Sequence, residues 1–279
     1  MTMPADAPPQ SPFLSSDPQF DYWSAAHRLA YEQVDFALNS GLLFAAFTGD
    51  TGAGKTTVMR QAVALAQGRR LLGVLAPDDG LARAPARAIL AAFGADPGPG
   101  DDDRQTARLA RSLAEVRDAH GLATLVVDDA QALGPAALAR LVALSGIEAA
   151  EGPLFRLMLV GRPEIEARLA AELPGVMGPL VRLEAMSRED TAGFVRHRMA
   201  VGGLAAPRFA AAALEAVHEA TGGNPLRVNL LCLFCLDEAW ERGVDTIDAT
   251  LVRDCDVAPE AVLGPPDFAV RGLSVAVPA

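Results

Sequence analysis

Fifteen residues constrain this chain more than any others: LFAAFTGDTGAGKTT, positions 43–57. An apolar run ends at Thr48. Gly49-Asp50-Thr51-Gly52-Ala53-Gly54-Lys55-Thr56 then fits the pattern G-x-x-x-x-G-K-[ST], and VMRQAVALA follows with helical spacing. Strand, glycine-rich turn and helix in that order give the motif its physical meaning. Glycines let the backbone curl until successive N–H groups point inward and cradle phosphate oxygens. The helix start adds unpaired N–H groups and the positive end of its dipole. The candidate phosphate-binding residues are therefore Gly49, Asp50, Thr51, Gly52, Ala53, Gly54, Lys55, Thr56 and Thr57. The Lys55 ammonium would reach the β- and γ-phosphates, and the Thr56 hydroxyl would ligate Mg²⁺. Lys55 is the single lysine among 24 basic side chains. A chain otherwise committed to arginine keeps its one compact ammonium where a planar guanidinium fits poorly.

The rest of the chain alternates strand and helix signals up to about residue 185. Apolar residues at helical spacing run from Tyr22 to Asn39, and Gly41 ends that helix. The first strand spans Leu43 to Thr48 and the next helix Lys55 to Gln67. Strands follow at Arg70 to Leu75, Ala123 to Val127, Leu154 to Val160 and Leu180 to Leu183. The helices between them are Ala84 to Phe93, Arg104 to His120, Pro135 to Leu144 and Glu164 to Leu173. This alternation indicates a parallel sheet covered on both faces. After Met186 the strand signals stop. Ser187-Arg188-Glu189-Asp190 opens a helix in capping-box fashion. Further helices are expected to about Val201, from Arg208 to Ala220, from Pro225 to Arg242 and from Asp248 to about Cys255. The expected organisation is a flexible arm over 1–20, an α/β nucleotide-binding base over 21–185, a helical lid over 186–256 and a loose tail over 257–279.

A phosphate loop needs a carboxylate for Mg²⁺ and usually a second to orient the attacking water. The run Leu125-Val126-Val127-Asp128-Asp129 supplies both at the C-terminal end of a strand, where ligands bind in open α/β sheets. Asp128 is assigned to the Mg²⁺ shell and Asp129 to polarising water.

The phosphate loop, VVDDAQ, the strand-end LVGRPE, the helix opening SREDTAGFVRHRM and the later TGGNPLRVNLLC together resemble an AAA+ ATPase. More narrowly, with PFLSSDPQFDYWSAAHRLA ahead of the loop, they resemble the ExeA/GspA-type ATPases of bacterial secretion and pilus assembly. The resemblance covers about residues 12–255. It implies an α/β P-loop fold with strand order 5-1-4-3-2, a C-terminal helical lid, ATP and Mg²⁺ between base and lid, and a homo-oligomer whose neighbouring subunits complete each site. It implies hydrolysis that moves the lid and is read out by a partner. The related secretion ATPases carry a membrane span and a peptidoglycan-binding part after the ATPase. Neither pattern occurs here, so a separate membrane or envelope partner is expected.

Four positions depart from the family pattern. Asp129 stands where Glu is usual. Arg162, in LVGRPE, stands where Gln is common and where a polar sensor would feel the γ-phosphate. Leu226 stands where Arg usually follows Pro, which makes Arg227 the candidate lid sensor. The segment LPGVMGPLVRL lacks the arginines that supply a finger to a neighbour, leaving Arg168, Arg182, Arg196 and Arg198 as candidates. Slow or partner-activated hydrolysis follows, since a missing finger costs a factor of about 10³–10⁵.

Composition trims the alternatives. A net charge of −11 argues against a broad nucleic-acid surface and disfavours a second reading, a DNA-linked ATPase similar to the MuB/TniB transposition regulators. A third is an ATP-binding scaffold with little hydrolysis. No apolar stretch reaches the 18 residues of a membrane span. The N-terminus lacks the pattern of a secretory leader, and three cysteines suit reduced thiols, so a cytoplasmic protein is expected. Cys232 and Cys235 lie one helical turn apart and read as lid core. Asp101 to Asp103 read as a loop that caps the next helix. Tyr22 and Trp23 read as packing the N-terminal helix on the base.

Overall fold

The computed structural model describes residues 11–15, 17–66, 72–77, 80–149, 152–173, 178–204 and 208–255. They group into two compact units. One takes in residues 30–51 and 55–183; the other takes in the chain up to Leu29, Gly52–Gly54 and the chain from Glu184.

The first unit is built on five strands: β1 (Phe44–Gly49), β2 (Leu72–Leu75), β3 (Ala123–Val127), β4 (Phe155–Gly161) and β5 (Leu180–Leu183). Every pairing is parallel, and the order is 5-1-4-3-2, as expected. Every residue of β1, β3 and β4 is buried, the signature of parallel strands covered on both faces. The covering helices are α1 (Ala25–Asn39), which begins in the other unit, α2 (Lys55–Ala66), α3 (Pro85–Ala92), α4 (Asp102–His120), α5 (Pro135–Ser145) and α6 (Glu164–Glu172). Ile89 and Phe93, Leu109 and Leu113, and Leu138 and Leu141 pack with Leu125, Val127, Leu157 and Leu159 on one face. Ala45, Phe47, Val126, Met158 and Val160 have the opposite parity and are equally buried, so both faces are closed. The aspartate run does cap a helix: Asp101 accepts from the Arg104 N–H at 3.0 Å and starts α4.

Arg156 is the one cation buried inside this sheet among the described residues, at 2% exposure. It lies on β4 with the parity of Met158 and Val160. Its guanidinium donates to the Leu38 and Leu42 carbonyls, and to the Thr124 hydroxyl at 3.3 Å. The charge thus sits on the Leu38 carbonyl in the last turn of α1, where the helix dipole is negative, and on the Leu42 carbonyl just after it.

The second unit holds α7 (Arg188–Val201), α8 (Ala211–Thr221), α9 (Pro225–Arg242) and α10 (Ala249–Asp254). Its core joins Phe194, Val195, Leu214, Val217, Val228 and Leu236 with Cys232 and Cys235. Both cysteines are free, and burial pushes their thiols well above the usual range, so they are inert packing. Helix α8 starts three residues later than its apolar spacing suggests. Phe209 instead pairs with Ile247 in an isolated parallel bridge, and the Ala210 N–H donates to the Ile247 carbonyl at 2.9 Å.

The stretch expected as a flexible arm is packed from Ser11 onward, wherever it is described. Phe13 is 3% exposed against Phe209. Arg198 donates to the Pro12 carbonyl at 2.7 Å and lies over the Phe20 ring. Tyr22, expected to pack toward the base, meets Phe194 of α7 edge-on. The expected tail over 257–279 lies outside the described residues, as do residues 1–10.

Candidate phosphate and water site

In the sheet unit, β1 delivers the chain into the loop at Gly49, and Lys55 opens α2. The Lys55 ammonium donates to the carbonyls of Gly49 at 2.8 Å and Asp50 at 3.0 Å. Neutral oxygens hold it in place without cancelling its charge. Burial pulls its pKa down; the fields of Asp128, Asp129 and Asp50 pull it back up, and Arg162 adds to the fall. The same fields show which charges the fold gathers. Asp128, Asp129, Asp50 and Arg162 all lie within electrostatic reach of Lys55, although up to 107 positions separate them from it in the chain.

Asp128 ends β3. Its N–H continues the ladder to the Leu75 carbonyl at 2.9 Å, and its carboxylate accepts from the Asp129 N–H at 2.9 Å. Burial raises its pKa, and the neighbouring Asp129 charge raises it further. The Asp129 N–H and Lys55 oppose the rise. Asp129 is exposed and is the one non-glycine residue with positive φ, +49°, among the described residues. Aspartate tolerates this left-handed turn better than most side chains. Arg162 follows β4 directly. Its peptide N–H donates to the Gln131 side chain, and its guanidinium is 3.9 Å from Glu164.

The loop tip, Gly52–Gly54, groups with the helical unit. Gly52 (φ +77°) and Gly54 (φ +101°) adopt backbone conformations that side chains rarely take. Space forbids side chains there as well. A Cβ on Gly52 would lie 2.4 Å from the Leu226 Cβ, and one on Gly54 would lie 2.4 Å from the His27 Nε2. Asn224 caps α9 by accepting from the Leu226 and Arg227 N–H groups. The Leu226 N–H donates onward to the Gly52 carbonyl at 3.3 Å. Leu226 is therefore the residue set against the loop tip, while Arg227 is exposed on the next position of the helix.

His27 is the functional candidate that sequence reasoning passed over. Its N–H is capped by the Ser24 Oγ at 3.2 Å, and its Nδ1 lies 2.6 Å from that same Oγ. His27 stands where a capping box has Glu, but its ring meets the Ser24 hydroxyl and not the Ser24 N–H; Ser24-x-x-His27 before an apolar run was the available signal. The ring also bonds the Ala53 backbone. That bond favours the charged ring, so Nε2–H donates to the Ala53 carbonyl and Nδ1 accepts from Ser24. Burial pulls the His27 pKa down, against that carbonyl and Asp190, and the ring is neutral at pH 7. An unfolded histidine protonates near 6.5, so this brace contributes fully above that value and is lost as pH falls below it. Between pH 7.5 and 5.5 the melting temperature is expected to drop about 2–4 °C more in the wild type than in His27→Gln, read by paired thermal melts.

Of the candidate fingers, Arg168 donates to Glu172 and to the Gln131 carbonyl, and Arg182 pairs with Glu166. Arg198 is buried under the N-terminal segment, and Arg196 is exposed. Among the described residues no cluster of three or more His, Cys, Asp or Glu is placed to hold a metal. The donors at the loop are the Thr56 hydroxyl and the Asp128 carboxylate. That sparse set suits Mg²⁺, which keeps several waters and takes one or two protein ligands beside phosphate oxygens.

A family model described as an AAA domain matches residues 39–169, from the end of α1 through the phosphate loop, Asp128 and Arg162 to α6. Over those residues the chain is similar to an AAA domain. Its carboxylates, Lys55 and loop glycines all fall on or beside the C-terminal ends of that domain's central strands, where a P-loop fold binds nucleotide. The chain is 32% identical over 249 residues to the general secretion pathway protein A of Aeromonas hydrophila, across 84% of this chain and 44% of that protein. It thus spans under half the length of that relative. The fold is similar to Cdc6p from Pyrobaculum aerophilum (TM-score 0.60, 18% identity, 90% of this chain and 75% of that one). It is also similar to the Thermotoga maritima RuvB branch-migration motor (TM-score 0.54, 15% identity, 85% and 72%). No helix among the described residues is long and apolar enough to cross a membrane.

Proposed function

We propose that this AAA domain binds Mg²⁺-ATP and hydrolyses it as an oligomer, on the cytoplasmic side, to energise or regulate an envelope assembly for secretion, pilus formation or polysaccharide export. One observation supports the chemistry above all: a lone lysine ammonium, held by two carbonyls, lies within electrostatic reach of two carboxylates that follow a buried parallel strand. The loop N–H groups would bind the phosphates, and Thr56 and Asp128 would hold Mg²⁺, which neutralises phosphate charge when bound. Lys55 places its own charge on the transferring phosphate. Asp129 orients the attacking water and takes its proton. Arg162 sits to sense or stabilise the same charge, and Arg227 is the sensor of the helical unit. The envelope role rests on the likeness to the secretion pathway protein.

The test is ATP turnover by the full chain over a protein concentration series, with duplex DNA in a parallel arm. Specific activity that rises with concentration and ignores DNA is the expected result. Turnover that appears only with DNA, and falls steeply with salt, would transfer the chain to the DNA-linked reading. Tight ATP binding with no turnover at any concentration would reduce it to a nucleotide-binding scaffold.

A further inference from the structure

We infer that Gln131 is a positioning residue for the water-orienting carboxylate, tying Asp129 to the end of β4. The inference rests on the assignment of Asp129 proposed above. The Gln131 amide makes two contacts of opposite sense. Its Nε2–H donates to Asp129 Oδ1 at 3.0 Å, and its Oε1 accepts from the Arg162 N–H at 3.0 Å. The Gln131 main chain is held separately, because Arg168 donates to its carbonyl at 3.0 Å. One side chain therefore spans two strand ends and is fixed at its root by a third element, α6.

Three further observations show that this bridge is built in. Asp129 is held in the left-handed region, a conformation that persists when its surroundings determine it. An amide donor on one carboxylate oxygen fixes the plane of the group and leaves the other oxygen to accept a water proton. Gly161, the last residue of β4, makes room for the bridge. A Cβ there would lie 2.6 Å from the Gln131 Oε1, although the backbone of Gly161 is not in the left-handed region. The absent side chain thus leaves space for a neighbouring amide and serves no turn. A glutamine is required for this geometry. It alone offers a donor and an acceptor at that length, whereas glutamate would turn an acceptor toward Asp129.

The geometry also couples two functions. Arg162 is reached through its own N–H, so a shift of the β4 end is passed to Asp129 through a single amide. The water-orienting group and the charged residue beside the transferring phosphate are thereby set together.

The experiment compares Gln131→Ala, Gln131→Glu, Gly161→Ala, the Gln131→Ala/Gly161→Ala double variant and Asp129→Asn, all in the full chain. Steady-state ATP turnover and equilibrium binding of a fluorescent ATP analogue are measured for each, with thermal melts to establish folding. Gln131→Ala is expected to lower kcat at least about tenfold with nucleotide Kd within twofold, since a reacting group displaced by about an ångström loses on that scale. Gln131→Glu is expected to fall as far or further. Gly161→Ala is expected to reproduce the loss by pushing the amide aside. The double variant is expected to be no worse than Gln131→Ala, because the space is then vacant and the two effects share one cause. An unchanged or raised kcat in folded Gln131→Ala overturns the inference, as do additive losses in the double variant. If Asp129→Asn keeps wild-type turnover, the assignment of Asp129 fails instead. If Asp129→Asn is inactive while Gln131→Ala is not, only the role of Gln131 falls.

Discussion

Lys55→Ala is expected to lower ATP turnover by at least about 10²–10³-fold, and to weaken ATP binding, while leaving the fold intact. Removing one preorganised donor from a site of developing charge costs on that scale. The loss should be large here because the ammonium is desolvated. Burial pulls its pKa down, and only the three nearby aspartates draw it back. A charge in such surroundings acts on a phosphate through a lower effective dielectric than a surface lysine does. Nothing else replaces it, since every other cation of this kind in the chain is a guanidinium. Lys55→Arg should rescue little. The wider, planar group cannot keep the donations to the Gly49 and Asp50 carbonyls and still extend its charge beyond them. Turnover assays, binding of a fluorescent ATP analogue and a melt without nucleotide read the three quantities. The nucleotide-free melting temperature should not fall, because the substitution removes a buried charge. Turnover within threefold of wild type would sink the assignment of the loop.

Arg156→Ala is expected to destabilise the sheet unit by about 3–5 kcal/mol, the scale of a large buried truncation that also strands polar partners. The side chain is 2% exposed on β4 and donates to two carbonyls and a hydroxyl. Its loss leaves a cavity in the sheet and strands the Leu38 and Leu42 carbonyls. Arg156→Met fills most of the volume but donates nothing, and should recover about half of the loss. Urea unfolding reads the free energy, and a fall in melting temperature on the order of 10 °C is expected for the alanine variant. Equal stability of the Ala and Met variants would mean that volume is not the issue and that the loss lies in the hydrogen bonds that both variants lack. A loss under 1 kcal/mol in Arg156→Ala would show the buried charge to be dispensable.

Much of the site was legible because its chemistry is local. The spacing Gly49 to Thr56 specifies a loop whose N–H groups converge whatever the rest of the chain does. Asp128 follows a short apolar run that reads as a buried strand, so its place at a strand end was visible too. The strand order came from resemblance and agrees with the parallel pairings observed. Other features were hidden because their causes are distant in sequence. Arg156 reads as an ordinary charge inside an apolar strand, and nothing nearby reveals the Leu38 and Leu42 carbonyls that it satisfies. Phe13 and Phe20 lie in a stretch rich in Pro, Ser and Asp that reads as an arm. Their partners, Phe209 and Arg198, lie nearly two hundred residues on.

By itself, then, the sequence determined the phosphate loop, the alternation that yields a parallel α/β sheet, the two carboxylates after β3 and the helical run from Arg188. Each of these depends on neighbours within about one element's length, where periodicity and turn chemistry act. Only the tertiary structure decided that Leu226 rather than Arg227 meets the loop tip. It alone showed that His27 bonds the Ala53 backbone, and that Gln131 joins Asp129 to Arg162. Those contacts arise where separate elements converge in space, and whether a donor there finds an acceptor is settled by packing, which residue spacing does not encode.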